Sequence, residues 1–527
     1  MAFEAPRLKR PRPWAWDRWA LAAVPLLFLA VVLVAPAVRL MLEGGSADLW
    51  APWQDPYLRG RLLWSLAQAA MTCGLVLLIG LPMGWVLARL DFPGRGLLLR
   101  GLMLPFVVPT LVAAMGVLAL MGPRGLLAQW GGPDLQGTPW LLLFGNLFFN
   151  LCVLVRAAVD ALSQVSAARV AAARSLGATP WRAFWRVEWP AIAPWLASAL
   201  CLVFLYCFSG FGLALVLGGQ AYATAEVEIY TLVAHELQLG QASVLSVWML
   251  LLTGAVALGY AAVERRLATP ARADGVLRRP ARGVAQWSAV MVTVGVWMFI
   301  CAAPLIAIAY GAMFSGADAW GVLREDDTLL ALYNTVRFSL LALVLATVLG
   351  VAHALAARRV LWLRTLVFLP FIVSPVMVAF GLLLLYPEAS GSFGVLVAAY
   401  ALLAYPFVAK SVASRLDSLP AHYLEAARSL GASPWRCFWR VTLPLLAPAL
   451  RRGMAFAAAT AVGEFAVSLF LSRPEWATLT TLIYQHLGKP GAVNLGAAQV
   501  LACVLMGLAL LAFVLIEWPG KEGDARA

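Results

Sequence analysis

The sequence predicts an all-α polytopic membrane protein of about twelve transmembrane helices, arranged as two parallel six-helix repeats. Three observations predict it. Of 527 residues, 62% are hydrophobic and 12% charged, against about 45–50% apolar and about 25% charged in soluble domains. Apolar runs of about 20 residues, the length that crosses a bilayer core, recur twelve times. The second half of the chain also repeats the first in sequence, the mark of an internal duplication.

The runs lie at 19–42, 62–88, 101–121, 139–162, 196–218 and 244–263, then at 284–314, 331–357, 365–386, 392–413, 453–471 and 497–517. The first follows a basic start with Arg7, Lys9, Arg10, Arg12 and Arg18. It is longer than the apolar core of a cleaved signal, about 7–15 residues, so it is read as a retained helix entered from the cytoplasm. Twelve spans then place both termini in the cytoplasm. On this topology 31 of the 39 Lys and Arg residues face inward and 8 face outward, as the positive-inside rule requires. The formal charge of +13 is therefore a topology signal, and no nucleic-acid partner is expected. Residues 266–283 carry Arg266, Arg272, Arg278, Arg279 and Arg282 with Pro270 and Pro280. They read as a basic cytoplasmic linker between a first permease unit, 1–265, and a second, 284–527.

Several chemistries are excluded by composition. A P-loop needs Lys between Gly and Ser or Thr, and none of Lys9, Lys410, Lys489 and Lys521 is so placed. The seven cysteines form no CxxC pair and the four histidines are isolated, so neither a metal site nor a cofactor is expected.

The repeat is strongest in a loop. Residues 172–194 (AARSLGATPWRAFWRVEWPAIAP) and 426–448 (AARSLGASPWRCFWRVTLPLLAP) agree at 17 of 23 positions. A second match pairs LPFVVPTLVAAMG (104–116) with LPFIVSPVMVAFG (369–381). The first half has about eleven more residues between the two matches, and the Gly- and Pro-rich stretch 122–138 is the expected insertion on the outer side. Loops ordinarily vary more than cores, so a loop matched this closely points to function.

Its local structure is legible. Helix formers lead to Gly177 and Gly431, which suit the left-handed residue after a helix end. Thr179-Pro180 and Ser433-Pro434 suit an N-cap followed by proline at the first helical position. The loop is thus helix, tight turn, short helix. On the second helix Trp181, Phe184 and Trp185, like Trp435, Phe438 and Trp439, recur at i, i+3 and i+4, flanked by Arg182, Arg186, Arg436 and Arg440. Such a helix suits the lipid interface or a docking surface with aromatic and Arg anchors. Two equivalent copies favour docking of two copies of one partner.

These loops resemble the EAA loop of ATP-binding-cassette importer permeases. That pattern is E-A-A, three residues, G, nine residues, I-x-L-P. The second copy supplies Glu425, Ala426, Ala427, Gly431, Val441, Leu443 and Pro444; the first supplies Ala171, Ala172, Ala173, Gly177, Val187, Trp189 and Pro190, without the glutamate and the leucine. The resemblance implies the type I importer permease fold in a bacterial inner membrane. Each loop is then a coupling helix seated on one of two copies of a cytoplasmic ATPase subunit. A small-molecule substrate is delivered by a periplasmic binding protein, and the chain itself is not an enzyme. Within the branch that fuses both halves, WQDPYL (53–58), FPGRGLLLR (92–100), GNLFFNL (145–151), VLGGQAYATAEVEIY (216–230) and GEFAVSLF (463–470) are similar to the thiamine permeases, which implies thiamine or its phosphates and a thiamine-binding protein. Ferric-iron permeases share the two-unit plan and are the nearest alternative. An ion-gradient secondary transporter also has six plus six spans, but the duplicated loops decide against it.

Glu464 is the acidic residue expected well inside a span. Such a charge costs about 2.5–3.5 kcal/mol at the bilayer centre and so faces protein or water. Its repeat partner is Gly210. Glu464, Gly210 and the neighbouring Phe211 and Phe465 are candidates for the substrate pathway, with Trp248 and Tyr484 as further aromatics. The outer segment 219–243 has Glu226, Glu228 and Glu236 and no basic residue, which suits a binding-protein surface or merely a solvated loop.

Overall fold

The structure is a computed structural model in which residues 15–45, 48–267, 278–358, 360, 362–367, 369–471 and 473–517 are described. Most of the linker, and the basic residues at both chain ends other than Arg18, lie outside the described residues. Among the described residues ten helices are long and apolar enough to cross a membrane. With the shorter apolar helix Pro375–Leu385 and the 20-residue helix Leu443–Val462, the principal helices follow the expected order. They are α1 (15–45), α2 (Pro56–Arg89), α3 (Thr110–Met121), α4 (Pro139–Ser163), α5 (Trp189–Phe208), α6 (Leu239–Leu267), α7 (Gly283–Met313), α8 (Asp326–Ala357), α9 (Pro375–Leu385), α10 (Phe393–Ser418), α11 (Leu443–Val462) and α12 (Ala492–Glu517).

Two expected spans are broken. The run at 196–218 stops at Phe208 and resumes as Phe211–Leu217. The run at 453–471 stops at Val462 and resumes as Ala466–Leu471. Gly210 and Glu464 both fall in these breaks, so Glu464 is in an interruption and not within a helix. The runs at 101–121 and 365–386 are interrupted as well. Pro105 and Pro109 in one, and Pro370 and Pro375 in the other, cut each lead-in segment into single turns before α3 and α9 begin, because proline lacks the N–H that would continue the helix.

Proline also explains four wide turns. At 30–34, 184–188, 298–302 and 438–442 the helix takes a π-turn, and the next N–H reaches back five residues: Ala35 to Ala30, Trp189 to Phe184, Ala303 to Met298 and Leu443 to Phe438. In each case the following residue is proline: Pro36, Pro190, Pro304 and Pro444. Four-residue bonding cannot resume across a residue without an N–H, and the wide turn absorbs the mismatch.

The halves are interleaved. Helix α1 packs on α6 of its own half but also on α8 and α9, and α7 packs on α12 and also on α3. The exchange is built by glycine. A Cβ on Gly116 of α3 would lie 2.7 Å from the Pro304 carbonyl of α7, and one on Gly381 of α9 would lie 2.9 Å from the Pro36 carbonyl of α1. Gly116 and Gly381 close the second sequence match, so that match encodes the close approach of small residues that lets membrane helices pack.

Among the described residues the all-α expectation has one minor exception. Leu90 and Asp91, after α2, pair in parallel with Arg279 and Pro280 at the end of the linker. The Ala281 N–H extends the bridge to the Asp91 carbonyl at 3.0 Å.

Candidate functional site

Both matched loops fold alike. Helix Ala167–Ser175 ends at Gly177, φ +84°, and helix Ala421–Ser429 ends at Gly431, φ +78°. In the first, the Gly177 N–H bonds to the Arg174 carbonyl and the Ala178 N–H to Ala173, both at 3.0 Å; in the second, Gly431 bonds to Arg428 and Ala432 to Ala427, also at 3.0 Å. This is the Schellman turn, which satisfies carbonyls left over at the helix end. The next helix is then capped. Thr179 Oγ1 accepts from the Arg182 N–H and Ser433 Oγ from the Arg436 N–H, each at 3.3 Å, with Pro180 and Pro434 at the first helical position.

The exposed side chains form the same patch twice. Trp181 is 69% exposed and Trp435 70%; Trp185, Trp439, Arg182 and Arg436 are exposed beside them. Ala172, Ala426, Glu425, Pro190 and Pro444 are exposed, and Ala173 and Ala427 half-buried. Phe184 and Phe438 turn inward and are half-buried, bracing the turn under Trp185 and Trp439 with ring centroids 5.4 and 5.5 Å away. Leu176 and Leu430, 89% and 87% exposed, belong to the patch and were not singled out from the sequence. Their signal was their place in the identical stretch, just before the turning glycine.

The two loops differ in how they are tied to the rest of the chain. Glu188, in the first loop's π-turn, meets Arg89 at the end of α2, Nη2 to Oε1 3.0 Å, with both side chains largely buried. The equivalent residue of the second loop is Thr442.

Between the halves lies a cavity of about 320 Å³. The two broken helices and the two proline-cut lead-in segments wall it, and Glu464, Gly210, Phe211 and Phe465 all line it. Phe211 of the first half stacks on Phe465 of the second, centroids 5.9 Å apart and planes 27° apart. A Cβ on Gly463 would come within 2.9 Å of Pro109 of the other half, so glycine at this break lets the halves meet. Glu464 is buried. Its Oε1 accepts the Val467 N–H at 3.2 Å, its carbonyl accepts the Thr480 hydroxyl at 2.9 Å, and its Oε2 has no donor among the described residues. Tyr484 stands behind Phe465, centroids 5.5 Å apart. Trp248 is elsewhere: its indole N–H bonds the Leu49 carbonyl and its ring meets Trp50 and Trp53.

The opposite wall was missed from sequence. Asn146 and Asn150 of α4 line the cavity, and Gln68 of α2 stands behind Asn146 at 2.7 Å. The available signal was two amides four residues apart in an apolar helix, hence on one face.

The expectation for the acidic segment 219–243 needs correction. Glu226 and Glu228 form no solvated surface, because both are buried in helix Ala225–Ala234. Glu226 accepts from Ser374 of the second half at 2.8 Å. Glu228 accepts from the Tyr57 hydroxyl at 2.9 Å and lies 3.5 Å from Arg61. Arg61 also reaches the carbonyls of Gln220, Ala221 and Ala223. Glu236 alone of the three is exposed. Ser65 Oγ on α2 accepts the Ala225 N–H, the first of that helix, at 2.8 Å; in the second half Thr335 Oγ1 on α8 likewise accepts the Leu479 N–H, the first of helix Leu479–Gly488, at 2.9 Å.

A family model described as "Binding-protein-dependent transport system inner membrane component" matches residues 80–269 and again residues 340–519. The thiamine transport system permease protein ThiP of Escherichia coli strain K12 is 27% identical over 532 residues, covering 96% of this chain and 97% of that protein. Its counterpart in Haemophilus influenzae is 26% identical, covering 95% and 96%. The sulfate transport system permease protein CysW of Synechocystis is 30% identical over 210 residues, which is 38% of this chain and 76% of that protein.

Proposed function

Because this chain belongs to the family of binding-protein-dependent transport system inner membrane components, as two fused units in a multi-pass inner-membrane permease of an ATP-binding-cassette importer, we propose that it imports thiamine and its phosphates through the cavity between its halves. One observation carries the substrate: the similarity to thiamine permeases runs over nearly the whole chain. A cavity walled by aromatic faces and the Glu464 carboxyl group suits an aromatic cation.

The coupling loops face the cytoplasm, as do both termini, and each seats on one of two copies of a separate ATPase subunit. The contacts come from Leu176, Trp181 and Arg182 in one loop, and from Glu425, Leu430, Trp435 and Arg436 in the other. Phe184 and Phe438 hold the turns from within. Closure of the ATPases moves the loops, the tilt passes into α5 and α11, and the breaks at Gly210 and Glu464 move with them. A periplasmic thiamine-binding protein delivers substrate to the outer mouth. The units are 1–265 and 284–527, joined by the basic linker.

The test is growth of a thiamine-requiring, transporter-deficient strain on trace thiamine, with the ATPase and binding protein supplied. Growth that depends on this chain is expected. Growth rescue under iron limitation, with none on thiamine, would transfer the reading to ferric iron.

A further inference from the structure

The bonds around the cavity fix which polar atoms it offers. Gln68 Nε2 donates to the Ser65 carbonyl at 3.2 Å and to the Cys207 carbonyl at 2.8 Å. Both partners only accept, so the nitrogen must face them and Gln68 Oε1 must face Asn146. Asn146 therefore presents Nδ2 to it, at 2.7 Å, and its Oδ1 is left over. Asn150 Nδ2 donates to the Asn146 carbonyl at 2.9 Å, which leaves its Oδ1 over as well. Among the described residues neither Oδ1 accepts a bond, and both asparagines line the cavity. On the facing half, Glu464 Oε2 is likewise without a donor. The described lining includes no Lys, Arg or His.

The cavity thus offers two amide oxygens on one wall and a carboxyl group on the other, with the hydroxyls of Thr110, Tyr206, Ser209 and Thr460 also in its lining and Ser209 Oγ without a partner among the described residues. Phe211 and Phe465, which stack on each other, line the same cavity as that carboxyl group. The amide wall exists once, because the repeat equivalents of Asn146 and Asn150 are Tyr400 and Ala404. A ligand is therefore received in one orientation. The volume of about 320 Å³ lies at the low end of small-molecule sites, about 300–1,000 Å³.

We infer that Asn146 and Asn150 form a recognition wall for an amino group, so that the cavity takes a planar heteroaromatic cation which donates that group to the two amide oxygens and sets its charged ring against Glu464 and the phenylalanines. This rests on the importer reading and narrows its substrate to a chemical class.

The test is equilibrium binding of two small probes to the purified full chain in detergent: 4-amino-1-methylpyridinium and 1-methylpyridinium, which differ in the amino group alone. The chain should hold the aminated probe about tenfold more tightly. Asn150→Ala should abolish that preference while leaving the plain cation's affinity unchanged. Glu464→Gln should weaken both probes and keep their ratio. Equal affinity of the unsubstituted chain for the two probes overturns the inference, as does an Asn150→Ala variant that keeps the preference or loses both probes alike. If the pattern holds while the chain moves no thiamine in cells, the amino-cation site stands and the thiamine reading falls.

Discussion

Replacing the turning glycines tests the coupling role with one backbone angle. Gly431 sits at φ +78° and Gly177 at +84°, and a Cβ at either would meet nothing within 4 Å. Alanine therefore adds no clash, and its whole cost is the left-handed conformation, about 1–2 kcal/mol. Two bonds hold each turn, at 3.0 Å each, worth about 1 kcal/mol apiece net. The strain is thus as large as what it opposes, and the ordered turn should lose about 5–30-fold in population. Asparagine tolerates the left-handed region and should be milder. Proline fixes φ near −65°, about 140° away, and deletes the N–H. The assay is uptake in vesicles carrying the whole importer, with phosphate release measured alongside. Uptake should fall in the order glycine, asparagine, alanine, proline, with phosphate released per substrate rising in the same order. A Gly431→Pro variant that transports with unchanged stoichiometry would refute the reasoning. The same series at Gly177 reads how far the two loops share the task.

Three further outcomes follow from particular contacts. Trp435→Ala or Arg436→Glu should weaken the second loop's hold on its ATPase copy by about 30-fold, the size of an aromatic or Arg hot spot, leaving the detergent-solubilised permease with the first loop's copy alone; retention at the unsubstituted level would remove this face from the interface. Arg89→Met leaves the buried Glu188 without its counter-charge and should lower stability by about 3 kcal/mol, while adding Glu188→Leu should recover most of it. Thermal melting measures both, and an unshifted single variant would show the pair contributes nothing. Arg61→Ala frees the carbonyls of Gln220, Ala221 and Ala223, so segment 218–224 should be cut faster by added protease, and equal cutting would mean the tie is dispensable.

The two matched loops were legible almost atom by atom. Helix, glycine turn, hydroxyl cap and proline start are each decided by a few adjacent residues, and the turn bonds and cap bonds follow from them. Glu226 and Glu228 were not legible. Their burial depends on Ser374, Tyr57 and Arg61, which lie far away in sequence. Trp248 and Phe211 look alike as aromatics in apolar runs, yet one packs near Leu49 and the other lines the cavity.

What the sequence determined by itself is what local chemistry encodes: the apolar runs, their orientation signal, the duplication, and the turn that repeats within it. What only the tertiary structure decided is which apolar faces meet protein and which meet lipid, because both surroundings are equally apolar and hydropathy does not separate them. The exchange of α1 and α7 between halves, the approach of Gly116 to Pro304 and of Gly381 to Pro36, and the pairing of an amide wall with Glu464 arise from helices that come together across the chain, where no periodicity within one segment records them.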